Sequence, residues 1–170
     1  MSEFIVIQES DVDLRRHIAE LRVLGASGKV DPGEVLVALI PTYGLSEYEG
    51  FAFPAQTREF FRFLSREAPD GLAVAIAAPH EEYPELAQHS ALWTLPIQLI
   101  IQPHLVAVTV NLVSSFIYER MRSLLPGQRA EVDSELLLKK GDDLLSICYR
   151  GPAESYENVM KEAIERMTCE

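Results

Sequence analysis

The chain has 170 residues, 48% of them hydrophobic, and a formal net charge of −11. That length and apolar content suit one folded domain spanning 1–170 and exclude wholesale disorder. The charge argues against a nucleic-acid binder held by phosphate contacts, which needs a concentrated cationic face.

In chain order, Glu3 to Gln8 reads as a first strand, with Phe4, Ile5, Val6 and Ile7 as its apolar run. The N-terminus has no basic segment before this short run, so a secretory signal is not expected. Ser10 is a good N-cap, and Leu14, Ile18, Leu21 and Leu24 then recur at helical spacing. Gly25 to Gly28 closes that helix.

Residues 34–40 admit two readings. Asp31-Pro32 suits a helix start, whereas the short run from Val35 to Ile40, closed by Pro41, suits a buried strand. The β-branched content favours the strand. The loop from Pro41 to Pro54 follows, rich in glycine and aromatic residues. Thr57 is the expected cap of a helix through Glu67, with Phe60, Phe61 and Leu64 on its apolar face. After a Pro69-Asp70-Gly71 turn, Leu72 to Ala78 reads as a strand and His80 to Glu85 as a polar loop.

From Leu86 to Tyr118 there is no Asp, Glu, Lys or Arg. A run of that kind invites a membrane reading, especially over residues 92–118 with Arg120 and Arg122 just beyond. Pro96, Pro103, Gln98, Gln102, His104, Asn111, Ser114 and Ser115 argue instead for a buried core segment, because each would need an internal partner in lipid. Leu92 to Ile101 is expected to be extended. Leu105 to Leu125 is the longest expected helix, apolar nearly all round at its start and therefore central, although Val106, Val108, Thr109 and Val110 also permit a strand there.

The last third is the most legible. Glu131 to Lys139 and Asp143 to Arg150 alternate like strands, and Lys140-Gly141-Asp142 supplies a hairpin turn. Gly151-Pro152 is expected to break the strand and open a helix. Tyr156, Val159, Met160, Ala163, Ile164 and Met167 then form one apolar stripe. The fold class that follows is mixed α/β (α+β): helices packed on a β-sheet, with a C-terminal β-hairpin followed by an amphipathic helix.

Chemistry is sparse. The chain has no GxxxxGK[ST], no GxGxxG after a strand, no GxSxG and no HExxH, and no cofactor is expected. The catalytic candidates are His80, Glu81 and Glu82, placed just beyond a strand end, where ligand sites of open α/β sheets gather. His80, Glu85 and His89 form the alternative metal set of a small metal-dependent hydrolase, although their spacing matches no standard ligand pattern. A solvated polar loop would look the same. His104 is expected to be a satisfied core or helix-start histidine.

The partner-binding candidates are Tyr43, Tyr48, Phe51 and Phe53, aromatic residues interleaved with Glu47 and Glu49 in the 41–54 loop. The competing reading is that these rings fold back onto the core. Cys148 and Cys169 make no disulfide framework or zinc motif; Cys148 reads as a small buried hydrophobe and Cys169 as an exposed tail thiol. The expectation is a soluble, acidic cytoplasmic protein that binds a protein partner or itself. It would act without catalysis, as a regulatory or accessory protein, and an acidic inhibitor of a basic partner is one form of that reading.

Overall fold

The computed structural model describes residues 4–9, 37–43, 50–76, 84–87, 92–141 and 143–169; for Phe4–Glu9, Tyr43, Phe51 and Asp143 only the backbone is considered. The helix expected from Ser10 to Leu24 lies outside these residues.

Ten strands and three α-helices are described: β1 (Phe4–Glu9), β2 (Val37–Ile40), β3 (Thr42–Tyr43), β4 (Phe51–Pro54), α1 (Thr57–Glu67), β5 (Val74–Ile76), β6 (Glu85–Leu86), β7 (Leu92–Thr94), β8 (Ile97–Ile100), α2 (Val106–Met121), β9 (Glu131–Lys140), β10 (Asp143–Pro152) and α3 (Tyr156–Thr168). The main sheet runs β1-β10-β9-β8-β2-β5, with β7 also paired to β9; a small second sheet runs β3-β4-β6. The main sheet is mixed. β2 lies parallel to β5 and β8 parallel to β9, while β2–β8, β9–β10 and β1–β10 are antiparallel. The fold is thus α+β and ends in the expected hairpin and helix.

The described part of the ambiguous run before Pro41, Val37–Ile40, is a strand. All four residues of β2 are buried, as are all four of β8. Strands covered on both faces read as continuous apolar runs, which is why neither showed alternation. Toward the helices, Leu39, Ile100, Leu136, Leu138, Ile147 and Tyr149 meet Phe60 and Leu64 of α1, Val110, Val113, Phe116 and Ile117 of α2, and Tyr156 and Met160 of α3. On the opposite face Ala38, Ile40, Ile97, Leu99, Leu137 and Leu144 form a second, smaller core.

β7 and β8 follow one another along β9. Thr94 pairs with Asp133 and Gln98 with Leu136, so four steps on one side oppose three on the other. The extra residue falls at Leu95-Pro96, where proline has no N–H for a ladder bond. The bulge restores the inward phase: Trp93 before it and Ile100 after it both pack on the helix-side core. The hairpin closes through Gly141 at φ 65°, a left-handed conformation that glycine adopts without a Cβ clash.

Four expectations are corrected. Thr57 does not cap α1. The N-cap is Gln56, at φ 69°, and the buried Thr57 hydroxyl donates 2.8 Å back to the Pro54 carbonyl. Gly151-Pro152 does not break the strand: both residues remain in β10, opposite Val132 and Glu131, and a 3-10 turn at Ala153–Ser155 leads into α3. Pro152 is tolerated at the strand terminus. The long helix ends at Met121, four residues short of Leu125. Its β-branched start is helical, with the Thr109 hydroxyl donating 2.9 Å to the Leu105 carbonyl and that of Ser114 donating 2.7 Å to Val110. Finally, α2 is not enclosed. It lies in the outer layer, with Ala107, Asn111, Ser115, Tyr118 and Glu119 exposed.

The charge-free stretch is thereby explained as two fully buried or half-buried strands plus a helix of 16 residues. Among the described residues no helix is long and apolar enough to cross a membrane.

Candidate functional site

Two segments that are distant in the sequence meet in the small sheet. β3 pairs antiparallel with β4, placing Tyr43 opposite Phe51. β4 in turn pairs parallel with β6, placing Phe53 opposite Glu85 and Pro54 opposite Leu86. The aromatic loop and the polar segment after β5 are therefore neighbours at the N-terminus of α1.

Within this sheet Phe53 is fully buried and joins the helix-side core, the competing destination considered for these rings. Tyr48 and the side chains of Tyr43 and Phe51 lie outside the described residues. The catalytic candidates His80, Glu81 and Glu82 also lie outside them, as does His89 of the metal set. Glu85 is described, and it is engaged elsewhere. Its Oε1 accepts a 2.8 Å bond from the Arg58 backbone N–H and lies 3.8 Å from Arg58 Nε. Arg58 is in the first turn of α1, where backbone donors lack intrahelical partners and the helix dipole favours an anion. Glu85 is thus a cap supplied from 27 residues away in the chain. Glu85→Ala is expected to cost about 1 kcal/mol, measured as a lower urea midpoint; an unchanged midpoint would rule the cap out as a stabilising contact. Among the described residues no three His, Cys, Asp or Glu side chains are grouped to hold a metal ion.

A second polar group occupies the sheet face opposite the helices. Glu135 and Cys148 are cross-strand partners, as are Asp133 and Arg150. The Ser146 hydroxyl donates 2.8 Å to Glu135 and lies 3.4 Å from the Cys148 sulfur. Burial pushes the Cys148 thiol pKa up; the Ser146 hydrogen bond opposes this, and the Glu135 and Asp133 carboxylates add to it. The thiolate is disfavoured, so this thiol is a poor nucleophile. Burial likewise raises the Asp133 pKa, against the opposing pull of Arg150.

An exposed, largely uncharged surface lies on α2, which was expected in the interior. Stepping 100° per residue, Ala107, Asn111, Ser115 and Tyr118 fall on one stripe, continued by Arg122. All five are exposed. Tyr118 is 58% exposed, and Leu125, in the turn after the helix, is 67% exposed. The stripe is uncharged until the helix end. There the exposed Glu119 lies 3.9 Å from Arg66 of α1. Arg120 turns inward, its guanidinium 4.8 Å from the Trp93 ring centre and 5.6 Å from that of Phe116. Burial lowers its pKa, and Glu59 opposes that shift.

A signal for this surface exists in the sequence: Ala107, Asn111 and Ser115 recur every four residues as small or polar side chains among large apolar ones. His104 is exposed in the 3-10 turn Pro103–Leu105 that leads into α2, a helix-start position. Comparison of the chain with family models, with curated proteins and with solved structures finds no match.

Proposed function

We propose that this protein is a non-enzymatic partner-binding or regulatory accessory protein whose contact surface is the open face of α2. The observation that carries this reading is the exposed, uncharged stripe Ala107–Asn111–Ser115 ending at Tyr118 and Leu125. In a chain with 24% charged residues, solvent-facing helix surface is ordinarily charged. Small residues let a partner backbone approach closely, and tyrosine and arginine are favoured anchors of interface centres.

The exposed charges that α2 itself carries at this end are Glu119 and Arg122, with Arg66 of α1 3.9 Å from Glu119. The surface therefore suits a partner matched in shape and local charge, and the net acidity of the chain acts on the approach rather than on the contact. Cys148 and Cys169 are both free thiols, in keeping with a reducing cytoplasm.

The test is capture from a lysate of the native host with two immobilised baits, the wild type and a Tyr118→Ala/Leu125→Ala double variant. Loss of a central anchor pair is expected to weaken retention of the partner roughly tenfold or more. A protein retained equally by both baits would sink the reading, as would the capture of none.

A further inference from the structure

The end of α2 has a charge pattern that fits a copy of itself. Glu119 and Arg122 are exposed, three residues apart, beside the exposed Tyr118 and followed by Leu125. We infer that this end of α2 docks antiparallel against the same end of a second copy, across a two-fold axis lying between the levels of Glu119 and Arg122. The inference rests on the reading of the α2 face as a contact surface and names its occupant.

A two-fold contact is isologous: if residue i meets residue j, then j meets i. With the axis between these two levels, Glu119 of each copy faces Arg122 of the other, giving two equivalent ion pairs. At 1.5 Å rise per residue, Tyr118 of one copy falls just past the level of Arg122 of the other, on the side of the turn that carries Leu125. The ring then lies beside a guanidinium, a favourable neighbour for tyrosine. The helix dipoles run antiparallel in this arrangement. A parallel arrangement would instead set Arg122 against Arg122 and Glu119 against Glu119.

Electrostatics also selects the place. Two copies at −11 each repel one another. The α2 stripe, neutral along its length and without excess negative charge at its end, adds nothing to that repulsion and supplies two attractions. The existing contact of Glu119 with Arg66, at 3.9 Å between exposed side chains, is too weak to prevent re-pairing. The patch is small, so the dimer is expected to be weak and concentration-dependent.

Sedimentation velocity of the full chain over about 10 µM to 1 mM tests this, using the wild type, Glu119→Arg, Arg122→Glu, the double reversal and Tyr118→Ala. The wild type is expected to shift from monomer to dimer across the range, at the weak end of protein association. Each single reversal places like charges together and is expected to weaken the dimer roughly tenfold, while the double reversal restores it. Tyr118→Ala is expected to weaken it without altering the charge pattern. Circular dichroism of each variant separates loss of contact from loss of fold.

A wild type that stays monomeric to 1 mM, a dimer indifferent to both single reversals, or a double reversal that fails to rescue would each overturn the inference. A monomer that still captures a different protein in a Tyr118-dependent way would refute self-docking and leave the α2-face reading standing. A monomer without such capture would refute both.

Discussion

Phe116→Ala is expected to destabilise the protein by about 3–5 kcal/mol, a large part of the 5–15 kcal/mol that holds a typical domain folded. Phe116 is 2% exposed and sits where α1 and α2 meet the sheet. Its ring lies 4.9 Å from that of Phe60 at 69° and 5.4 Å from that of Phe63 at 64°, both edge-to-face arrangements. It also underlies the Arg120 guanidinium. Truncation removes the transfer energy of the ring and leaves a cavity walled by two other rings, which are too rigid to fill it. Phe116→Leu keeps most of the volume and is expected to cost less, about 1–1.5 kcal/mol. Urea unfolding with an unchanged slope provides the measurement. A loss below 1 kcal/mol for the alanine variant would show that this junction is not close-packed.

The second large effect concerns alkaline pH. Tyr156 is fully buried at the start of α3, its ring 5.2 Å from that of Tyr149 and perpendicular to it. The Tyr149 hydroxyl donates 2.7 Å to the Pro152 carbonyl, whereas that of Tyr156 reaches no partner among the described residues. Burial raises the Tyr156 pKa far above its ordinary value; Ser134 opposes the shift without reaching hydrogen-bond geometry, and Tyr149 adds to it.

The unfolded phenol loses its proton near pH 10, while the folded one keeps it. The resulting stability is fully present below about pH 10 and is lost as pH rises from there through the folded-state value, by up to about 1.4 kcal/mol per pH unit. Tyr156→Phe removes this term. At pH 7 the two proteins are expected to differ by no more than about 1 kcal/mol, since the hydroxyl makes no bond. Above pH 10 the variant is expected to outlast the wild type. Parallel alkaline unfolding curves would show that Tyr156 ionises without leaving the core.

Polar groups in the same core show why such a position is tolerated. Gln98 is fully buried in β8 and satisfies itself locally, its amide donating to the Pro96 carbonyl at the bulge. The Ser134 hydroxyl reaches the Gln98 Oε1 at 3.5 Å. These residues interrupt the hydrophobic pattern of β8 and β9 without costing burial. Gln98 was legible in the sequence only as an argument against a membrane span.

What the sequence determined by itself is local. The alternation in β9 and β10, the glycine at the hairpin turn and the apolar stripe from Tyr156 to Met167 each express a short-range preference that tertiary contacts reinforce. The strand reading before Pro41 rests on the same footing, because a β-branched run of that length is a poor helix.

What the tertiary structure alone decided is which surfaces meet. Glu85 caps a helix 27 residues earlier, and no periodicity encodes so remote a partner. Phe53 left the aromatic loop for the core because β4 pairs with β6. Gly151 and Pro152 stayed in a strand because Val132 and Glu131 were there to oppose them. The helix with the fewest charges proved to have an open side. A hydrophobic period reveals that a helix has a face to bury; whether its other face is covered depends on where the remaining layers stop. In this protein they leave Ala107 to Tyr118 exposed on one side of α2.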